Sequence, residues 1–365
     1  MIRLFFPVFL WVTGSLALGQ SGSMAAEQSQ ETTPKSPVQS MPLREWQPAL
    51  FLKSEDGQSS LKVLLLAQLR FTQNQPGEEV AEGSFRVRRA KLIFLGKVAN
   101  HWRYRLLGVW SGRTATLEEM NIQYTRFPWF QPWFGEGKVA FGRQWLIPAS
   151  RQLFVDRSAA ALRFTHGHDQ GLMLVGHNRR KKLGYQVGVF NGNGRNQSAD
   201  DDANKLVTGR WTWAPLGVLP LSESDPGPPE QTALHLGAAF TRGRPEESDA
   251  RHDEMLRWGV ELGFRRQGFQ LAGEWFAEDL AEREAQTGYY LQAGQRLGHG
   301  HWEMAFRFSR APGQDQISPD LKTTALAVNR YLVRHHLKIQ ADLTNLRRVG
   351  HPDDWEARLQ FQVLH

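Results

Sequence analysis

From Ser84 to Trp110 this chain alternates, residue by residue, between two unlike faces. Trp102, Tyr104 and Leu106 share one parity, and Arg103, Arg105 and Leu107 share the other. A period of two is the mark of a β-strand whose faces meet different surroundings. Upstream, Phe85 and Val87 lead into Ala90, Leu92 and Phe94, so the parity changes at Arg88-Arg89, as an inserted bulge residue would make it do. A short polar turn, Val98-Ala99-Asn100-His101, joins the halves. The polar face of this hairpin is Arg and Lys almost to the exclusion of anything neutral.

The same pattern recurs to the end of the chain. Trp302, Met304, Phe306 and Phe308 oppose Glu303, Ala305, Arg307 and Ser309, and Leu256 to Arg265 and Trp355 to Val363 alternate in the same way. Each segment runs about ten residues, the length that crosses a bilayer when tilted near 45°. About sixteen such segments are expected, an even number consistent with antiparallel closure. Their connections differ in length. Arg265 to Gly268, Gly298 to Gly300 and Asn178 to Lys182 are short, whereas 191–204, 220–230, 242–253 and 311–320 are long and polar. Short turns at one end and long loops at the other point to an all-β, transmembrane antiparallel barrel rather than a soluble sandwich. No amphipathic helices separate the strands and no repeat of 20–50 residues is visible, which argues against α/β, propeller and solenoid folds.

The ends and the charge fit an exported protein. Residues 1–25 have the layout of a secretory signal peptide, with one early charge at Arg3, an apolar run through Leu18 and small residues after it. Residues 26–60 form a Ser/Gln/Pro-rich linker and lead-in, and 61–365 the barrel. No later segment approaches the roughly 18 uninterrupted apolar residues of a spanning helix. With no Cys, the chain can hold no disulfide, thiolate metal site or cysteine nucleophile. The formal charge is +7, and 33 of the 44 basic residues are Arg. Nucleic acid is the usual partner of such a balance, but an exported chain rarely meets it. An Arg on the lipid face near the midplane costs about 2–4 kcal/mol, whereas an inward one is hydrated. Parity therefore assigns Arg86, Arg88 or Arg89, Lys91, Arg103 and Arg105 to the lumen, with Arg210, Arg257, Arg307 and Arg358 on later strands. Glu119, Glu261, Glu274 and Glu303 are also expected inward.

At Phe85 to Leu92 the chain resembles the phosphate-selective porin O and P family, and the Trp-x-Tyr-x-Leu strand that follows resembles the start of that family's barrel. Leu117 to Tyr124, Val139 to Gln144, Phe154 to Ser158, His168 to Gly171, Gly184 to Gly194 and Ala327 to Leu332 resemble further elements of it, in order. The resemblance implies a sixteen-stranded, usually trimeric outer-membrane channel with its third loop folded into the pore. Here that loop would be Trp145 to Asp169, and Arg151, Arg157 and Arg163 on it would line the constriction. Two positions depart from the family pattern: His168 stands where it has Arg, and Asp156 where it has Glu.

Other chemistry is weighed on the same residues. His166-Gly167-His168-Asp169 has metal-ligand residue types but lacks a further assured ligand, and reads as a loop histidine pair near the pore. Asp200-Asp201-Asp202 reads as a solvated loop rather than a calcium site. Glu118 and Glu119, adjacent on one strand, are expected on opposite faces, which makes them poor partners for two-carboxylate catalysis. Trp129, Phe130, Trp133 and Phe134 are expected in an interfacial girdle or a trimer contact. No cofactor, metal or enzymatic activity is assigned. The expected function is passive diffusion of small hydrophilic solutes across the outer membrane, biased to anions such as phosphate, by a homotrimer in lipid. A weakly selective general porin and a barrel serving as an adhesion platform are the alternatives.

Overall fold

The computed structural model describes residues 50–77, 80–197, 204–224, 232–244, 254–280, 284–298, 301–313 and 319–365. The signal peptide, most of the linker and the Asp200-Asp201-Asp202 run lie outside these residues. A short strand, β1 (Leu50–Lys53), precedes β2 (Ser60–Gln75), β3 (Glu82–Val98), β4 (Trp102–Val109), β5 (Thr116–Tyr124) and β6 (Gln131–Lys138). After two short helices, α1 (Arg143–Leu146) and α2 (Ala159–Phe164), come β7 (His168–His177), β8 (Leu183–Phe190), β9 (Leu206–Trp213), β10 (Ala233–Gly243) and β11 (Met255–Arg266). The chain finishes with β12 (Phe269–Leu280), β13 (Gln286–Leu297), β14 (Trp302–Ala311), β15 (Leu321–Val333), β16 (Leu337–Arg348) and β17 (Asp354–Leu364).

Each of β2 to β17 pairs antiparallel with its sequence neighbours, and β17 pairs with β2 from Trp355↔Gln75 to Leu364↔Leu66, which closes a sixteen-stranded barrel. Closure removes the exposed sheet edges that an open sheet would carry. The seam is completed at both ends of the chain. His365 and Leu65 exchange backbone hydrogen bonds of 2.7 and 2.9 Å, and β1 then takes over the same edge of β2 from Val63 to Ser60.

Alternation is realised as expected on most strands. Trp258, Phe306, Met304 and Leu326 point outward and are about half exposed in the isolated chain, while Arg257, Glu303 and Arg307 point inward. Phe71 and Phe85, paired across β2 and β3, meet in a tilted contact with ring centroids 4.6 Å apart. Trp129, Phe130 and Phe134 are likewise exposed, but Trp133 turns inward, is buried and lies 6.1 Å from Phe190. The odd-even rule thus removes one of the four girdle aromatics.

Two connections enter the barrel, and only the second departs from the expected pattern. The 139–167 segment, between β6 and β7, is bonded to inward side chains on many strands. Val155 N–H donates to Asp342 of β16 at 3.0 Å and Ala160 N–H to Ser309 of β14 at 3.1 Å, while Asn329 of β15 donates to the Leu153 carbonyl at 2.9 Å and Gln362 of β17 to that of Ser150 at 3.1 Å. A segment bonded to the inner faces of strands this far around the ring runs through the interior. Inward alanines make the space: Leu153 and Phe154 pack on Ala305, Ala325 and Ala327. Gly142, at φ 77°, starts α1 so that the Arg143 and Gln144 amides donate to Glu274 at 2.6 and 2.7 Å. A side chain there would strain the left-handed backbone and crowd that carboxylate. His168 and Asp169, expected in the loop, are instead the first residues of β7.

The second is the connection between β9 and β10. It leaves from the end where the turns are short, not from the long-loop end expected for 220–230. Its described part also enters the barrel. Glu223 accepts from Gln144 at 2.6 Å and from the Leu153 amide at 2.7 Å, and its own amide donates to the Arg151 carbonyl at 3.0 Å. Two inserts, one from each end, therefore meet inside. Because they cover this half, Arg257 and Arg307 face inward without facing water: Arg257 donates to the Phe164 carbonyl at 3.1 Å and Arg307 to that of Asp156 at 2.9 Å.

Candidate functional site

The inserts leave one side of the interior open. There a cavity of about 430 Å³ is bounded by the inner faces of β3, β4 and β5 and by the entering segment. Its charged lining comprises Arg88, Arg89, Lys91, Arg105, Lys138, Arg157 and Arg195 against Asp156, Glu118 and Glu119, with His168 beside them.

The β3 contribution depends on a bulge. The β2–β3 register jumps from Gln68↔Arg89 to Leu69↔Val87, so Arg88 is the extra residue and Arg88 and Arg89 both reach the interior. Asp156 of the entering segment collects them. Arg70 of β2 lies 2.5 Å from one carboxylate oxygen, Arg88 and Arg89 each 3.5 Å from the other, and Arg358 of β17 is at 3.6 Å. Burial works to raise the Asp156 pKa, but the Arg70 hydrogen bond and the charges of Arg70, Arg88 and Arg89 outweigh it and hold the carboxyl well below its ordinary range.

A second bulge overturns one expectation. The β4–β5 register slips between Leu107↔Glu119 and Gly108↔Leu117, which inserts Glu118. Glu118 and Glu119 are therefore not on opposite faces; both are buried on the inner side. Lys91 pairs with Glu118 at 2.5 Å and Arg105 with Glu119 at 2.5 Å. His168 enters from β7, with Nε2 3.6 Å from an oxygen of each. The His166-Gly167-His168-Asp169 run is scattered by the fold. His166 bonds Thr241 at 2.7 Å, and Asp169 accepts from the Gly192 and Gln170 amides at 2.7 Å each. Burial first, then the Arg257 charge, keeps the His166 imidazole well below its usual pKa, hence neutral.

Five of the nine cations singled out from sequence meet at the cavity: Arg88, Arg89, Lys91, Arg105 and Arg157. Arg86 lies on the inner parity of β3, opposite Arg70, and Arg103 on that of β4; both are exposed. Arg151 is exposed on the insert. Arg163 turns away to β12, 2.8 Å from Glu278, and Arg157 itself staples the insert, donating to the Gln144, Trp145 and Ile147 carbonyls at 2.8–3.2 Å. Lys138 and Arg195 were not anticipated. The glycines at 135 and 137 leave β6 without a readable face ahead of Lys138, and Arg195 sits in a loop without period.

The phosphate-selective porin O and P family profile matches residues 68–351. The chain belongs to this family. It is an outer-membrane channel of the porin fold, and family and fold point to a channel rather than an enzyme. Solved porins are similar in structure at low identity, a likeness of fold alone. An anion-selective porin from Comamonas acidovorans superposes with a TM-score of 0.59 at 11% identity, covering 84% of this chain and 100% of that one. Salmonella typhi OmpF in complex with daunomycin gives 0.60 at 10%, covering 85% and 100%. The trimer form of OmpT from Vibrio cholerae gives 0.55 at 9%, covering 83% and 99%. No curated protein matches this porin by sequence.

Proposed function

We propose that this porin is a passive channel biased to small anions such as phosphate, with Arg86, Arg88, Arg89, Lys91, Arg103, Arg105, Arg151 and Arg157 as its candidate pore cations, and Arg163, held by Glu278, set aside from the sequence-derived set. The observation that carries the reading is the cavity lining, in which seven cationic side chains stand against three carboxylates. An excess of four like charges in a confined aqueous path raises the local anion concentration and repels cations, an effect that salt screens over about 8 Å at physiological strength. Asp156, Glu118 and Glu119 work the other way, since each is ion-paired to wall cations; this is what favours a weakly selective general porin as the second reading. The entering segment, by narrowing the lumen, would set the size limit.

The test is the reversal potential of the purified channel in a potassium chloride gradient at low ionic strength. Anion preference that weakens as salt rises is the expected result. Cation preference at low salt would transfer the assignment to the general porin, and a barrel with no conductance would leave the adhesion platform. A signal peptide at residues 1–25 and assembly as a homotrimer in the lipid of the outer membrane complete the proposal. N-terminal sequencing of the mature protein and native mass measurement test them.

A further inference from the structure

We infer that Glu118, Glu119 and His168 form a binding site for one divalent transition-metal ion on the wall of the cavity. Three features converge there. The bulge at Glu118 brings two adjacent carboxylates to one face, a placement that sets like charges side by side. One ligand atom from each of the three residues lies within 4.8 Å of the others. Finally, His168 is 7% exposed and its Nε2 has no hydrogen-bond partner among the described residues. A buried polar nitrogen left unsatisfied is unfavourable, and this one is aimed at both carboxylates.

The spacing fits a metal ion better than a hydrogen bond. His168 Nε2 is 3.6 Å from Oε1 of Glu118 and 3.6 Å from Oε1 of Glu119, too far for donation to either. Tetrahedral zinc, with bonds of about 2.0–2.2 Å to nitrogen and oxygen, holds its ligand atoms roughly 3.4 Å apart. The two distances from His168 differ from this by a few tenths of an ångström, and the two carboxylate oxygens lie within 4.8 Å of each other. The other carboxylate oxygens are already committed: Oε2 of Glu118 to Lys91 and Oε2 of Glu119 to Arg105, both at 2.5 Å. These cations act as supports that orient each carboxylate while leaving Oε1 toward the imidazole. Lys91 also reaches Oε1 of Glu118 at 2.6 Å, so metal entry requires it to retreat to Oε2 alone, and the cavity beside it gives the room.

The ligand set selects the class of ion. One imidazole with two carboxylates suits zinc, nickel or copper, whereas calcium and magnesium require six or more oxygens. Three protein ligands leave a fourth position, and all three residues line the cavity. The inference is independent of the anion bias proposed above, since it concerns binding rather than permeation.

The experiment uses the full chain folded in detergent, with folding verified by its migration on an unheated gel, and zinc chloride titrated by calorimetry. One zinc per chain, bound saturably, is expected. His168→Ala and Glu119→Gln should each weaken binding at least about tenfold, with His301→Ala, an exposed histidine, as the unchanged control. His168→Asn, closer in size, serves if the alanine variant does not fold. In planar bilayers zinc should reduce the wild-type current and leave that of the His168 variant unaltered. Absence of saturable zinc binding by the folded wild type, or undiminished binding by the His168 variants, overturns the inference.

Discussion

Asp156, on the segment that enters the barrel, lies 2.5 Å from Nη1 of Arg70 on β2, whose side chain is fully buried. The pair fastens the insert to the very wall that carries the most cations. It also spends part of that wall's charge, because Arg88, Arg89 and Arg358 all lie within 3.6 Å of the same carboxylate. Leaving a buried arginine without its carboxylate partner costs about 3–5 kcal/mol.

Asp156→Asn should therefore loosen the insert and strengthen anion preference together. The expected outcome is a lower temperature of heat modification on gels and a reversal potential shifted further toward the anion limit. An unchanged reversal potential would mean that Arg88 and Arg89 do not contribute to selectivity.

The same pair sets a pH response. The folded pKa of Asp156 lies below its unfolded value of about 3.9, so its stabilisation is complete above that value and is lost only as pH falls through the depressed folded value. The insert should accordingly hold its place from neutral pH to about pH 4, with conductance rising at more acidic pH. A conductance change near pH 5–6 would have to be traced to another group.

Phe154→Ala tests how the insert is seated. The Phe154 ring packs on Ala305, Ala325 and Ala327 with the Arg307 guanidinium 4.1 Å from its centroid. Losing a buried phenylalanine costs about 3–5 kcal/mol, here charged to docking of the insert rather than to the strands. Single-channel conductance should rise and its noise increase, while the barrel stays folded.

Glu223→Ala tests the meeting point of the two inserts. It removes the acceptors for Gln144 and the Leu153 amide and leaves those groups buried, at a cost on the order of 2 kcal/mol. Larger or more variable conductance is expected. No change would show that the β9–β10 connection does not restrain the segment.

On the outer face, Trp258→Arg should destabilise the barrel in lipid by about 2–4 kcal/mol, measured by urea unfolding. The same charge at Phe306, also about half exposed on the outside, should behave alike.

Strand number, antiparallel closure and the inward parity of Arg103, Arg105, Glu261 and Glu303 were legible in the sequence, because a two-residue period with apolar and charged faces has only one inexpensive solution in a membrane. The β3 bulge was legible too, since an alternation that slips at Arg88-Arg89 marks the extra residue by itself. The bulge at Glu118 leaves a fainter trace of the same kind: the apolar parity passes from Leu117 to Met120 and Ile122, but a single apolar residue precedes the acids in this strand, so only the register with β4 decides it. Nor could period reveal which inward arginines meet water. It took the packed inserts, seated on Ala305, Ala325 and Ala327, to show that Arg257, Arg307 and Arg163 serve them while Arg88, Arg89, Lys91 and Arg105 border the cavity. Sequence determined the wall, because the wall is a local pattern repeated. Tertiary structure decided the interior, because what fills it comes from residues tens to hundreds of positions away, brought together only when the ring closes.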